Sequence, residues 1–436
     1  MIPKNYDLGT SSVLRVCSTD RFKAGALSVS SVMPVDENTA CMAPLLLSVL
    51  RRGTEKYPTL SDINRRLDYL WGTSFSIRSF YLGNCQVVGF TADLLDPSYL
   101  PQGGDEIVDG VLELMEQLLF YPILDEDGLL SAKYVESEKQ LQCDAIRAAR
   151  SNSKSYAAER CKELLLEGEP GGISMYGTEE QTMAVTREAL TAFWKDWLEH
   201  LYLDCFYVGG EDTSTLLKKL EAVFGDRIPR KPMTPPVVLG SVKTGREIRV
   251  NETMPVSQSQ LMIGYRCGVE MGHPDDAVCA VLNEMLGNSP ISRLFVYVRE
   301  KHSLCYSCAS SYSAYYGTVL ISCGLKSENR DLAEREIHRQ IQCLARGDFR
   351  DEELDAAKKS LENTYRQIED SPAGLESFYY GRALAGYGTS LKERRAAFER
   401  VTREDVVRVA NTLTLDVVYF LEGTLADEGD DENEED

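Results

Sequence analysis

A cation and a phenol stand close together in the stretch Ser292–Cys308, which reads SRLFVYVREKHSLCYSC. Its first part has the spacing of a short amphipathic helix that Ser292 can cap, and after His302 the pattern alternates as a strand does. This pattern places Arg299 near the end of a helix and Tyr306 just inside a strand. A guanidinium and a phenol held on two rigid elements can bind a peptide carbonyl or carboxylate.

The other groups that could do chemistry are cysteines and histidines. Cys305-x-x-Cys308 has the spacing of a redox or metal motif. Residues three apart on a strand point to opposite faces, however, so the predicted strand argues against a disulfide or a shared metal there. The twelve cysteines have no common spacing, which predicts reduced, mostly buried thiols and a cytoplasmic location. None of the four histidines has another at i+3 or i+4, so we expect surface or capping roles for His200, His273, His302 and His338.

Composition narrows the range of partners. A net charge of −21 over 436 residues argues against nucleic acid and against an anionic membrane as partners. The first residues lack the apolar region of a signal peptide, and no apolar run has the length of a membrane-spanning helix. The acidic residues 424–436 predict a disordered, solvated tail.

The order of predicted strands and helices occurs twice along the chain. The letters VTRE at residues 185–188 recur at 401–404, an offset of 216. In both places a threonine, Thr186 or Thr402, precedes an apolar stripe at i, i+3, i+4 and i+7, as expected of a capped core helix. A proline- and glycine-containing stretch separates the two halves. We therefore predict one unit over residues 1–226, a linker over 227–245, a second unit over 246–423 and the tail.

Three fragments of the opening stretch carry a family resemblance. SRLF at 292–295, REK at 299–301 and L-x-Y at 304–306 follow the SRLF…REK…GL-x-Y signature of the M16 (pitrilysin/insulinase) peptidase superfamily, with Ser303 in place of the glycine. The sequence resembles the two-domain, mitochondrial-processing-peptidase-like members over essentially the whole folded chain. The resemblance implies an α+β fold of the LuxS/MPP-like metallohydrolase type. This fold has two tandem homologous α/β-sandwich domains, each an antiparallel-rich sheet with helices packed on it. The resemblance also implies that Arg299 and Tyr306 bind substrate across the cleft from a zinc site.

The zinc motif of that superfamily, H-x-x-E-H, is lost. The pair Gly53-Thr54 matches the GT that follows the motif and places the motif on residues 44–48. The positions of the two histidines, the base glutamate and the distal ligand are occupied by Pro44, Ser48, Leu47 and, approximately, Ala145. Proline and leucine neither bind zinc nor transfer a proton, and Pro44 should delay or kink its helix. We therefore expect no metal and no peptidase activity in this chain alone.

Three functions remain open. In the first, the chain resembles the YmfF-like class and is the non-catalytic, peptide-binding subunit of a heterodimeric M16 zinc metallopeptidase, with the H-x-x-E-H motif and the zinc on a homologous partner subunit. In the second, it is a stand-alone peptide-binding or scaffold pseudo-peptidase. In the third, it is a peptidase with an unusual metal set of Glu138, Asp144 and a distant histidine.

Overall fold

The computed structural model describes residues 2–9, 12–100, 106–229, 237–240 and 247–425. The chain forms two compact units. The first consists of Met1–Ile146, Ile173–Val238 and Gln367–Ser390, and the second of Arg147–Gly172, Leu239–Arg366 and Leu391–Asp436. Each unit has one mixed β-sheet with helices packed against it. This architecture confirms the predicted α+β fold.

Groups of strands alternate with groups of helices along the chain. The strands of the first unit are β1 (Lys4–Leu8), β2 (Ser12–Ser18), β3 (Ala24–Pro34), β4 (Phe75–Leu82), β5 (Cys85–Leu95) and β6 (Asp204–Gly209). Those of the second unit are β7 (Ile248–Met254), β8 (Ser259–Arg266), β9 (Ser307–Ser313), β10 (Thr318–Leu325) and β11 (Thr414–Gly423). The helices are α1 (Met42–Leu50), α2 (Leu60–Tyr69), α3 (Ile107–Phe120), α4 (Ala132–Ser151), α5 (Ser153–Leu165), α6 (Glu179–Ala184), α7 (Arg187–Glu199), α8 (Thr213–Phe224), α9 (Asp276–Asn283), α10 (Arg330–Arg346), α11 (Asp351–Ile368), α12 (Pro372–Leu384), α13 (Leu391–Glu399) and α14 (Arg403–Ala410). Two π-helical segments, Glu284–Asn288 and Leu294–Lys301, lie between α9 and β9.

The two sheets have the same topology. The strand orders are β1-β2-β6-β3-β5-β4 and β7-β11-β8-β10-β9, so the sheets correspond strand for strand once β1 is set aside. In each sheet the first and last strands of the repeat, β2 with β6 and β7 with β11, form the parallel pair. The capping threonines also correspond, because Thr186 accepts from the Ala189 N–H and Thr402 from the Asp405 N–H. The internal duplication predicted from the sequence is therefore present in the fold.

Each compact unit contains one helix that comes from the other half of the chain. Helix α5 packs on β8 and β11, and α12 packs on β3 and β6, which are the corresponding strands of the other sheet. In the second unit, Cys161 and Leu165 of α5 belong to a buried cluster with Met262 and Tyr419 on one face of the sheet. Neither helix was predicted from the sequence. Because α5 and α12 occupy equivalent positions, this exchange of one helix between the two halves of the chain is part of the internal duplication.

Parts of the predicted linker and tail lie outside the described residues, namely 230–236 and 241–245 of the linker and 426–436 of the tail. The first two residues of the predicted tail are described. The N–H groups of Thr424 and Leu425 donate to the carbonyls of Met254 and Val256 at 3.0 and 3.2 Å. Across the described part of the chain, every helix is too short or too polar to cross a bilayer.

Candidate functional site

The stretch Ser292–Cys308 forms a π-helix, a short turn and the start of strand β9. The helix Leu294–Lys301, here called the motif helix, has wider than α-helical hydrogen bonding, a pattern often found at functional sites. The predicted cap by Ser292 is wrong. Arg293 occupies the N-cap position, and the buried Ser292 hydroxyl has no hydrogen-bond partner. The turn after the helix passes through Ser303, which has a φ of +50°, the left-handed region that favours glycine.

Arg299 and Tyr306 line the same cavity. This cavity, about 440 Å³ in volume, is lined by Arg299, Glu300, Ser303, Leu304, Cys305, Tyr306, Lys326 and Asn329. The Arg299 side chain is 44% exposed, and its guanidinium lies over the Phe295 ring at 4.8 Å and 3.5 Å from the Glu300 carboxylate. Tyr306 is 47% exposed, and its N–H donates to the Gly324 carbonyl at 2.8 Å. Both predicted binding residues therefore expose part of their side chains to solvent. The motif helix holds the backbone of Arg299, and the bond to Gly324 holds the backbone of Tyr306.

The buried residues of the motif hold the motif helix in place. Arg293 is 5% exposed, and its guanidinium donates to the Gln340 side chain at 2.9 Å and to the Glu353 carboxylate at 2.8 Å. Leu294 and Val298 are fully buried in the core of the second unit. The motif thus divides into residues that anchor the helix and residues, Arg299 and Tyr306 among them, that face the cavity.

Three thiols meet beneath this cavity. The Sγ atoms of Cys305, Cys308 and Cys323 all lie within 4.8 Å of one another. The prediction that Cys305 and Cys308 face apart is wrong, because β9 begins at Ser307 and Cys305 therefore precedes the strand. Hydrogen bonds from the Cys308 and Cys323 thiols, aided by the nearby Arg299 charge, lower the pKa of Cys305 to about 4.

Cys323 and Lys326 were not identified from the sequence, although a usable signal was present. The hairpin of β9 and β10 pairs Cys308 directly with Cys323. Once the hairpin is centred on its turn, that register places the two thiols on the same face of the sheet. Lys326 follows β10 and adds a second cation to the cavity.

Among the residues that the structure describes, the region of the lost zinc motif has no set of metal ligands. Helix α1 begins at Met42, and Pro44 lies in its first turn, as expected of a residue without an N–H donor. Pro44 and Leu47 are buried, Ser48 is half-buried and Ala145 is exposed on α4. A pyrrolidine ring, an isobutyl group and a methyl group offer zinc no electron pair, so these residues do not fit the zinc site of the superfamily.

The carboxylates near those positions have other partners. Glu138 of α4 is paired with the Arg52 guanidinium, and the neighbouring Gln142 amide donates to the Cys41 carbonyl at 3.3 Å and the Tyr176 carbonyl at 3.2 Å. Across the described residues, the three cysteines are the one group of at least three possible ligands with adjacent donor atoms. Neither Glu138 nor Asp144 belongs to such a group, so the third function, a peptidase with these ligands, has no support in the structure.

The four histidines have local structural contacts. His200 and His302 occupy the C-caps of α7 and the motif helix. His273 Nδ1 accepts from the Asp275 N–H at 3.0 Å, and His338 Nδ1 shares a hydrogen bond with the Tyr265 hydroxyl. These positions agree with the expected capping and surface roles of His200 and His302. His338 instead takes part in a partly buried hydrogen bond with Tyr265.

Comparisons with known proteins agree on one family. Residues 184–361 match the peptidase M16 inactive domain. The probable inactive metalloprotease YmfF of Bacillus subtilis (strain 168) is 27% identical over 415 residues, which cover 94% of this chain and 95% of that protein. The uncharacterized zinc protease YmxG of the same organism is 24% identical over 82% of this chain and 86% of its own length.

Solved structures show the same fold. A conserved protein from Enterococcus faecalis V583 superposes with a TM-score of 0.90 at 22% identity, covering 98% of this chain and all of that chain. A peptidase M16 inactive domain from Pseudomonas fluorescens superposes with a TM-score of 0.79 at 16% identity, covering 98% of this chain and 99% of that chain.

Proposed function

Because this chain belongs to the peptidase M16 superfamily and is related to inactive members of it, we propose that it is the peptide-binding subunit of a two-chain metallopeptidase. In this proposal a homologous partner subunit carries H-x-x-E-H and its zinc, which polarises the scissile carbonyl and the attacking water. This chain contributes Arg299 and Tyr306, which hold the peptide.

The observation that carries the proposal is the contrast between the two motif regions of the chain. Arg299 and Tyr306 line one accessible cavity, whereas Pro44 and Leu47 stand where the superfamily has a zinc ligand and the general base. A chain with a binding site but without the catalytic site can position a peptide but cannot transfer a proton.

The chemistry of the cavity suits the carbonyl or carboxylate groups of a peptide. Arg299 and Lys326 supply two cations, Tyr306 supplies a phenol, and Glu300 supplies one carboxylate beside Arg299. The two cations face one carboxylate and the Cys305 thiolate, so the charges of the cavity balance in a chain whose net charge is −21. The guanidinium can donate two parallel hydrogen bonds to the two oxygens of a carboxylate, and the phenol can orient a carbonyl without taking a proton.

The first test is isolation of the native complex. The tagged full-length chain is purified from its host, and any chain that co-purifies in equal amount is identified by mass spectrometry. A similar-sized chain with H-x-x-E-H supports the two-subunit proposal. Recovery of this chain alone would argue for the second function.

The second test is peptide cleavage by the reconstituted pair. Loss of a charge-assisted hydrogen bond costs about 1.5–3 kcal/mol, so Arg299→Ala should lower kcat/KM by roughly 10- to 100-fold. Arg339→Ala is the matched control, because Arg339 is an exposed arginine of α10 that does not line the cavity. Size-exclusion chromatography must show that both variants still form the complex. Equal turnover by the two variants would contradict the proposed role of Arg299.

A stand-alone peptide-binding function is the second candidate, and one observation favours it. All residues that line the cavity belong to the second unit of this chain, so ligand binding needs no residue from a partner. In that case the isolated chain binds peptides with the same dependence on Arg299, and no H-x-x-E-H chain co-purifies with it.

A further inference from the structure

The three thiols beneath the cavity come from three separate segments. Cys305 lies in the turn after the motif helix, Cys308 lies on β9, and Cys323 is the directly opposed residue on β10. Cys308 and Cys323 are buried in the core of the second unit, and Cys305 is half-buried and also lines the cavity. The site therefore has two enclosed donors and one donor at the cavity wall.

The separations of the thiols suit a metal ion. The three Sγ atoms lie within 4.8 Å of one another. Sulfurs bound to one tetrahedral zinc at about 2.3 Å are about 3.8 Å apart, so modest side-chain adjustments would bring all three to bonding distance. The β9–β10 pairing fixes two of the donors, and the third lies in a turn, where the backbone can adjust.

Burial in a core explains only part of this arrangement. Single buried cysteines behave as small apolar residues, as Cys161 of α5 does where that helix packs on the sheet of the second unit. Cys305 differs because it is half-buried at a cavity wall and its sulfur meets the two core sulfurs. A purely apolar role gives no reason for three sulfurs to converge at the one point where the core meets the cavity.

We propose that Cys305, Cys308 and Cys323 bind one Zn²⁺ ion, with a fourth coordination position open to the cavity. Three thiolates are a common zinc ligand set, and the guanidinium of Arg299 at the same cavity offsets part of their negative charge. Binding requires all three sulfurs as thiolates, so the protons still held by Cys308 and Cys323 are released to solvent. A water molecule from the cavity can fill the fourth position.

This site is distinct from the zinc site of the superfamily. It lies in the second unit, whereas the lost motif lies on α1 of the first unit. The ion would connect the turn that carries Cys305 to both strands of the β9–β10 hairpin. Tyr306, the next residue, would then be held by its bond to Gly324 and by the metal. The inference does not depend on the proposed peptidase partner.

The experiment uses the full-length chain, purified under reducing conditions and freed of metal with a chelator. Zn²⁺ is added alone, and bound metal is measured by mass spectrometry after removal of excess ion. We expect one Zn²⁺ per chain and, with Co²⁺ as a probe, a thiolate-to-metal charge-transfer absorption. Absence of stoichiometric zinc binding would overturn the zinc assignment.

Variants then test the ligands. Cys305→Ser should weaken zinc binding at least 100-fold, whereas Cys343→Ser should bind as the unaltered chain does. Cys343 is the matched control because it is the other half-buried cysteine of the chain and lies outside the cluster. Equal zinc binding by the two variants would refute the site.

A measurement on the unaltered chain avoids any folding defect of the variants. Zn²⁺ should protect Cys305 from alkylation by iodoacetamide in the folded chain and leave the alkylation rate of Cys343 unchanged. Equal alkylation of Cys305 with and without Zn²⁺ would also refute the proposal. A native disulfide between any two of the three cysteines, detected by peptide mapping, would do the same.

Discussion

Replacing Ser303 with glycine should stabilise the second unit. Ser303 has a φ of +50°, and its N–H donates to the Arg299 carbonyl at 3.1 Å, so the turn depends on this strained backbone conformation. A left-handed conformation costs an L-residue about 1–2 kcal/mol, and glycine avoids most of that cost. Glycine loses about 0.5–1 kcal/mol more than other residues through its greater freedom in the unfolded chain. The net gain should be about 0.5–1 kcal/mol.

Urea and thermal unfolding of the purified chain measure this gain. For a unit of this size, about 1 kcal/mol raises Tm by roughly 2–4 °C, so Ser303→Gly should raise Tm by about 1–4 °C. Ser303→Ala isolates the hydroxyl. Alanine keeps the left-handed strain, so this variant should leave Tm nearly unchanged.

Ser360→Gly is the matched control. Ser360 lies within helix α11, where glycine is disfavoured by about 0.5 kcal/mol relative to serine. The same substitution should therefore raise Tm at 303 and lower it at 360. A loss of stability in Ser303→Gly equal to that of Ser360→Gly would refute the reasoning, because it would mean that the backbone at 303 carries no strain.

Two further predictions concern ionic groups of the second unit. Arg394→Ala should cost about 3–5 kcal/mol in urea unfolding, because Asp276, whose carboxylate accepts two 2.9 Å bonds from Arg394, would stay buried and unpaired; a loss below about 1 kcal/mol would contradict this. The bond to His338, with help from Arg249, lowers the pKa of Glu334 to about 2, so its stabilising contribution should be present above about pH 4.5 and lost as the pH falls toward 2. The stability difference between the unaltered chain and Glu334→Gln should shrink across that range, and a difference independent of pH would contradict the assignment.

Much of the site could be predicted from the sequence because the responsible signals are local. The motif from Ser292 to Tyr306 identified Arg299 and Tyr306, which are two of the eight residues that line the cavity. The residue types at 44–48 indicated that the zinc ligands are lost. The prediction failed where the first residue of a strand mattered. Starting the strand before Ser307 placed Cys305 on the wrong face, since side chains alternate with a period of two.

The sequence by itself determined the family resemblance, the internal duplication and the capped helices that follow Thr186 and Thr402. Residue type, periodicity and capping act over a few neighbouring residues, so they can be read directly along the chain. Only the tertiary structure decided that α5 and α12 each cover the sheet of the other half, and that Cys323 joins Cys305 and Cys308. Those outcomes depend on which distant apolar surfaces bury each other and on the register of a strand pair. The free energy of such contacts depends on both segments that meet, so it cannot be predicted from either segment alone.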